Sequence, residues 1–289
     1  MDITIKAAAK INLLLDLTSV LENGYHSIYT VMQSVDIFDK VTVALTEDRT
    51  ISLSCSESSV PTDRRNTAYK AAEGFFEYLK KENKGVSIHI EKHIPSQAGM
   101  AGGSADAAAV IRALNILYEA NLSEAEQFAI GEKIGADVPF CIGGGTRLCL
   151  NTGEVMAQIP NLPECFFVIV KPSQGVSTKE AYKSFDSAKW IRHPDRDGFL
   201  YAAKHSDLKG ICSKAANVFE QVIEVPDRAV IKGEMRNCGA ILSLMTGSGS
   251  AVFGLFERES DAADCAERLR KKFKIVFTAK PLPKGLFPE

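Results

Sequence analysis

Residues 95–109, PSQAGMAGGSADAAA, decide how the chain is read. They follow VSIHIEKHI, residues 86–94, in which Val86, Ile88, Ile90 and Ile94 alternate with polar residues. A period of two is that of a strand. They run into SADAAAVIRALNILYEA, residues 104–120, where Ala107, Val110, Ile111, Leu114, Leu117 and Tyr118 recur at helical spacing. The stretch therefore predicts a strand, a loop of small residues and a helix N-terminus. Ser104 is expected to cap that helix, its hydroxyl accepting from an early backbone N–H. Gly99, Gly102 and Gly103 are expected to take φ > 0 and let the backbone approach a ligand closely. Free N–H groups and the positive end of a helix dipole suit a phosphate chain. The patterns G-x-x-x-x-G-K-[ST] and G-x-G-x-x-G with a distal acid are both absent, so neither a P-loop nor a dinucleotide fold is indicated.

Working outward, residues 3–7 and 11–17 read as two apolar strands around AAAK, with Lys10 and Asn12 as polar entries in an apolar run. ENGYHS carries an Asn23-Gly24 turn that presents Tyr25 and His26. Val41, Val43 and Leu45 alternate again, as do Ile51 and Leu53. Asn66 is expected to cap a helix whose face is Ala68, Ala71, Ala72, Phe75, Phe76 and Leu79. Downstream, Ser123 and Glu126 form a capping box. The helix it opens is expected to stop near Gly135, since Pro139 cannot continue it. That leaves Asp137 in GADVPF, either capping a turn or doing chemistry. CIGGGTRL predicts a tight approach of backbone segments. PNLP at residues 160–163 suggests a domain boundary.

Beyond it, residues 166–170 read as a buried strand, and Ser177 with Glu180 as a capping box for a helix bearing Tyr182. Helical periodicity returns over residues 199–223 and 227–236. Residues 241–245 and 251–256 read as strands joined by TGSGS, residues 260–272 as an amphipathic helix, and residues 274–279 as a last strand. Strand, helices, two strands, helix, strand is the order of a ferredoxin-like split βαβ unit.

Bulk properties exclude several function classes. The chain has 289 residues, 45% of them hydrophobic and 24% charged, and a net charge of −2. This is ordinary globular composition, with no basic footprint for nucleic acid and no polybasic membrane signal. No apolar run of about 18 residues would span a bilayer, and MDITIKAAAK lacks a signal-peptide core. The 7 cysteines include no C-x-x-C pair. Reduced thiols in a cytoplasmic protein are expected. His89, His93, His193 and His205 lack metal spacing and are expected to be structural or superficial.

Three separated motifs stand in order: AKINLLLDL (residues 9–17), PSQAGMAGGSADAAA and MTGSGSAVFGLF (residues 245–256). They resemble the three signature motifs of the galactokinase, homoserine kinase, mevalonate kinase and phosphomevalonate kinase (GHMP) superfamily. More narrowly, residues 9–36 together with GADVPF and GVSTKEAY are similar to the 4-diphosphocytidyl-2-C-methyl-D-erythritol kinase family. The resemblance spans essentially the whole chain. It implies an α+β, two-domain GHMP-kinase-like fold. A ribosomal-S5-domain-2-like βα domain would cover residues 1–160 and a ferredoxin-like domain residues 161–289.

The resemblance also implies an ATP- and Mg²⁺-dependent kinase of isoprenoid synthesis, working as a monomer or weak homodimer. Its partner would be a small molecule, with neither nucleic acid nor membrane involved. Lys10 and Asp137 match the family's catalytic lysine and acid. Pro95, Ser96, Gln97, Ala98, Gly99, Met100, Ala101, Gly102, Gly103, Ser104 and Ala105 match its ATP phosphate loop, and Asn66 its adenine site. Tyr25, His26 and Tyr182, with Asn12, match residues that hold the substrate, the first three at a cytosine ring. Ala105 stands where many superfamily members carry a second serine, so hydroxyl coordination of Mg²⁺ would rest on Ser104 or on water. Met100 replaces a frequent leucine. A homoserine or mevalonate kinase, or a non-catalytic nucleotide-binding protein on the same fold, are the competing expectations. The Tyr25, His26 and Tyr182 set and the joint presence of Lys10 and Asp137 argue against them.

Overall fold

A computed structural model describes residues 1–20, 26–80 and 85–289. The expected Asn23-Gly24 turn and Tyr25 lie outside the described residues.

The first sheet is built on two long antiparallel strands, β1 (Asp2–Val20) and β2 (His26–Leu45). The two strands expected around AAAK are thus one. Register shifts at Ala8/Ala9, Asn12/Leu14 and Leu17/Ser19 let β1 bend without breaking. The chain continues through β3 (Ile51–Cys55), α1 (Thr67–Leu79), β4 (Val86–Glu91), α2 (Gly102–Leu117), α3 (Glu124–Glu132), α4 (Val138–Gly143), β5 (Thr146–Asn151) and β6 (Val155–Gln158). β4 pairs with β2 and with β3, and β5 pairs with β2 and β6. Asn66 caps α1 by accepting from the Ala68 N–H. Ser123 and Glu126 form the expected capping box on α3. α3 ends earlier than expected, and GADVPF enters α4, a short helix with Pro139 in its first turn. Proline is tolerated there because first-turn N–H groups lack helical partners in any case.

The second sheet contains β7 (Phe166–Lys171), β9 (Leu242–Met245), β10 (Val252–Phe256) and β11 (Ile275–Ala279), in the order β11-β7-β10-β9. Between β7 and β9 come α5 (Thr178–Asp186), α6 (Arg196–Lys204), α7 (Leu208–Lys214), the two-residue strand β8 (Ala216–Asn217), a 3₁₀ turn (Val218–Gln221) and α8 (Arg228–Asn237). α9 (Glu259–Arg270) lies between β10 and β11. The strand-helix-strand-strand-helix-strand order and antiparallel pairings are those of a ferredoxin-like unit. The helix expected over residues 199–223 is instead α6, α7 and β8. Asp195 and Asp207 each accept from an N–H three residues on, starting a separate helix. The expected capping box at Ser177 does not form: Ser177 precedes α5, but its side chain makes no capping bond.

The two sheets share a core. Phe167, Ile169, Phe253 and Leu255 pack into the cluster that also holds β1, β2, α1 and α2. The alternate residues Val168, Val170, Val252 and Phe256 face a second cluster with Ile231, Met235, Cys265 and Leu269 of α8 and α9. Burial on both faces explains why FFVIV and VFGLF are continuous apolar runs. The chain then returns to the first sheet. β8 pairs parallel with β1 at Leu14 and Leu15, and β12 (Leu286–Pro288) pairs antiparallel with β1 at residues 5–7. The predicted approach at CIGGGTRL is present: a Cβ on Gly144 would collide with Gly285 N. All seven cysteines are free thiols, Cys141, Cys149, Cys165, Cys212 and Cys265 being buried.

Candidate active site

Strand periodicity places the first two residues. In β1, Lys10 and Asn12 are two apart and point the same way, while Ile11 and Leu13 point into the core. Both polar residues are buried, and they bond to each other, Lys10 Nζ donating to Asn12 Oδ1 at 2.7 Å. The same Asn12 oxygen accepts from the Gly247 N–H at 3.0 Å and from Thr246 Oγ1 at 3.2 Å, while Asn12 Nδ2 donates to Thr30 Oγ1 at 2.9 Å. Asn12 Oδ1 is thus held by three protein donors, and one N–H of Nδ2 is used on Thr30. The side chain fixes Lys10.

The loop over residues 95–101 meets Lys10 and the second sheet through its backbone. The Lys10 N–H donates to Met100 O, and the Ala251 N–H donates to Ala98 O, each at 3.2 Å. Gly99 takes φ 75°, and a Cβ there would collide with Thr246 O. Gly102 and Gly103 do not take positive φ; Gln97 (φ 53°) and Ala101 (φ 59°) do so instead. The two glycines serve close approach. A Cβ on Gly102 would stand 3.1 Å from Ile94 Cγ2 and 3.2 Å from Lys92 Nζ, and one on Gly103 would stand 3.1 Å from Thr67 Oγ1. Nor does Ser104 cap α2. The helix starts three residues earlier, with Ala101 at the cap position and Ala105 N–H bonding to Ala101 O at 2.9 Å. The N–H groups at Gly102, Gly103 and Ser104 have no earlier turn to bond, which leaves them for an anion.

Beneath the loop lies a buried charge cluster. Lys92 Nζ bonds to Asp39 Oδ2 and, at 2.8 Å, to Asp106 Oδ2 of α2. Asp39 Oδ1 also accepts from the His93 and Ile94 N–H groups at 2.6 and 2.8 Å, fixing the entry to the loop. Asp106 Oδ1 is buried with no hydrogen-bond partner among the described residues. Burial, countered by Lys92, pushes the Asp106 carboxyl up to about 8.

Asp137 occupies the cap position of α4, but its side chain makes no capping bond. Its Oδ2 stands 3.7 Å from Lys10 Nζ, and its side chain is 35% exposed. Asp137, Lys10, the loop and Tyr182 of α5 line one cavity of about 350 Å³, together with Thr246's neighbours Gly247, Ser248 and Gly249. Burial and, secondly, Asp137 push the Tyr182 hydroxyl up to about 12. A second cavity, of about 860 Å³, adjoins it, sharing Ile28, Thr178 and Tyr182 and adding His26 and Asp186.

The predicted residues divide accordingly. Lys10, Asn12, Asp137, Tyr182 and residues 95–103 line the first cavity, and His26 lines the adjoining one. Ala105 is buried in the core. Asn66 is absent from both linings, its side chain being used on the Ala68 N–H and on Pro61 O at 2.7 Å. Its neighbour Thr67 reaches the start of α2, its hydroxyl donating to Gly103 O at 2.6 Å. Thr30, Lys92, Thr178, Phe219 and Thr246 were not foreseen. Thr246, Thr178 and Thr30 lie inside the stretches MTGSGSAVFGLF, GVSTKEAY and residues 9–36 that carry the family resemblance, but nothing local singled them out; Lys92 and Phe219 belong to no motif. Among the described residues, no three His, Cys, Asp or Glu side chains cluster as a metal site, and no helix is long and apolar enough to cross a membrane.

Comparisons with known proteins identify the family. Residues 66–145 match the model of the GHMP kinases N-terminal domain and residues 200–275 that of the GHMP kinases C-terminal domain. The chain is 41% identical over 280 residues to a 4-diphosphocytidyl-2-C-methyl-D-erythritol kinase of Clostridium beijerinckii, covering 96% of this chain and 99% of the relative. It is 42% identical over 289 residues to the protein of that name from Geobacillus kaustophilus, covering 98% of each. A crystal structure of 4-(cytidine 5'-diphospho)-2C-methyl-D-erythritol kinase superposes with TM-score 0.81 at 30% identity, over 96% of this chain and 98% of that one. A homoserine kinase from Cytophaga hutchinsonii superposes with TM-score 0.80 at 19% identity, over 100% and 97% of the two chains, and so shares the fold. The chain belongs to the 4-diphosphocytidyl-2-C-methyl-D-erythritol kinase family, within the GHMP kinases.

Proposed function

We propose that the protein transfers the γ-phosphoryl group of ATP to the 2-hydroxyl of 4-diphosphocytidyl-2-C-methyl-D-erythritol. The products are ADP and the 2-phosphate, in non-mevalonate synthesis of isopentenyl diphosphate. The observation that carries this reading is the Lys10–Asp137 pair, 3.7 Å apart in the cavity that the glycine-rich loop also lines. The N–H groups at the start of α2 and the positive end of its dipole take the triphosphate. Asp137, whose carboxylate is not used in capping, takes the proton of the acceptor hydroxyl. A tertiary alcohol is a poor nucleophile, and a positioned base helps as its O–H bond weakens. Lys10, immobilised by Asn12, steadies charge on the transferring group. Phosphoryl transfer depends mostly on positioning and electrostatics, and one preorganised donor is commonly worth about 3 kcal/mol.

The donors present suit a Mg²⁺ ion that arrives on the triphosphate. Such ions are held by one or two carboxylates plus phosphates, not by an all-protein cage. Ser104 Oγ, 4.0 Å from where a Cβ on Gly135 would stand, and Asp137 two residues further on would be its protein neighbours. Bound there, the ion neutralises charge on the phosphates. Tyr182 offers a stacking face for the cytosine ring and His26 a polar edge, in the cavity adjoining the reacting groups. Stacking on an aromatic side chain is worth about 1–3 kcal/mol per base.

The test is an ADP-release assay with ATP, Mg²⁺ and the diphosphocytidyl alcohol supplied singly and together. Release is expected only with all three present. Asp137→Asn should lower kcat by about 10²–10⁴-fold with ATP affinity kept; near-wild-type turnover would remove Asp137 as the base.

A further inference from the structure

His26 opens β2 and Asp186 closes α5, 160 residues apart in sequence, yet His26 Nε2 and Asp186 Oδ1 are 2.6 Å apart. A carboxylate only accepts, so the proton of this bond resides on Nε2, and in the neutral ring Nδ1 becomes the acceptor. The ring is gripped on two sides. Its centroid lies 5.1 Å from that of Tyr182, tilted by 42°, and 5.9 Å from that of Phe185, edge-on at 87°. Its side chain is 9% exposed, so turning it over would disturb both aromatic contacts. His26 and Asp186 both line the adjoining cavity with Tyr182.

We propose that Asp186 sets the base specificity of the site: holding the proton on His26 Nε2, it presents Nδ1 as an acceptor to the 4-amino group of a cytosine and turns uracil away. The inference rests on the reading of this cavity as the cytidyl site. Cytosine carries an N–H donor at ring position 4, whereas uracil carries a carbonyl oxygen there. A fixed acceptor pairs with the first and faces the second lone pair to lone pair. A site built to bond a donor strongly rejects an analogue that lacks it, because its own polar group is left unpaired. Asp186 touches neither the base nor the reacting phosphoryl group on this account; it is a positioning residue that acts through His26.

The test compares kcat/KM for the cytidyl alcohol and for its uridyl counterpart at pH ~8, where an ordinary imidazole is neutral. Wild-type protein should prefer the cytidyl compound by at least about 100-fold. Asp186→Ala, a change at a side chain 53% exposed, should leave the fold intact. It should shrink the preference by about 10-fold or more. The change should fall on KM of the alcohol, with KM of ATP held within about 2-fold. In Asp186→Asn the amide can donate to or accept from Nε2, so the preference should again shrink. Ring ¹⁵N shifts of His26 should show Nε2–H in the wild type and mixed tautomers in Asp186→Ala. A preference unchanged in Asp186→Ala, in a protein that still turns over the cytidyl compound, overturns the role of Asp186 alone. No turnover of that compound by the wild type overturns this inference and the reading beneath it.

Discussion

Lys10 and Asn12 were legible in the sequence as polar interruptions of an apolar strand, and the period of two put them on one face. What Asn12 does was not legible, because its partners Thr30, Thr246 and Gly247 are 18 to 235 residues away. Asp106 shows the same limit more sharply. Nothing in SADAAA set it apart, yet it is 2% exposed, with one oxygen on Lys92 and the other without a partner among the described residues. Burial pushes its carboxyl up to about 8, so the folded state holds this proton more tightly than the unfolded chain does. A raised carboxyl favours folding below its unfolded pKa. That contribution is lost as pH rises from about 4 through about 8, because the buried group must then ionise. Asp106→Asn removes the titration while keeping the shape. Urea unfolding at pH ~5 and ~9 should show wild-type stability falling by at least about 1 kcal/mol more than that of Asp106→Asn. Parallel behaviour of the two proteins would mean that Lys92 holds Asp106 ionised throughout.

At the scale of elements, the loop between β4 and α2 was readable because each local rule agreed: alternation before it, helical period after it, small residues between. Its details were not. The cap fell on Ala101 and not Ser104, and of the three glycines only Gly99 needs positive φ. Tertiary contact decides the glycine, since the backbone of Thr246 leaves no room for a Cβ at Gly99. Capping boxes divided in the same way. Ser123 forms one because Glu126 reaches back to its N–H at 2.8 Å, while Ser177, with the same spacing to Glu180, makes no capping bond. Gly99 and Gly103 can be set against each other. Gly99→Ala must strain the backbone and displace the Thr246 turn, at a cost of about 1–3 kcal/mol. Gly103→Ala meets only Thr67 Oγ1 at 3.1 Å, a side chain that can turn aside. KM for ATP should rise about 10-fold or more in Gly99→Ala and clearly less in Gly103→Ala. Equal effects would mean that the loop is not held in shape by its contact with the second sheet.

At the scale of the molecule, the proline-rich stretch at residues 160–163 marks where the chain changes sheet, but the sheets are not independent. Phe167, Ile169, Phe253 and Leu255 belong to the core of the first sheet, and β8 and β12 supply strands to β1. Such returns are invisible to local pattern, because β8 is two residues long and β12 three. A chain ending at residue 160 would therefore expose the core face that β7 and β10 cover and strip the outer edge of β1 of its partners along residues 5–7 and at residues 14 and 15, leaving it paired with β2 alone. Burial of a large apolar side chain is worth about 1.5–3 kcal/mol. Losing the four that β7 and β10 contribute to this core removes roughly 6–12 kcal/mol, comparable to the 5–15 kcal/mol by which domains are commonly stable. The whole protein should accordingly melt in one cooperative transition, with near-UV and far-UV circular dichroism coincident. The chain ending at residue 160 should lack a cooperative melt. Two resolved transitions, or a sharp melt of the shortened chain, would show that the first sheet closes its own core.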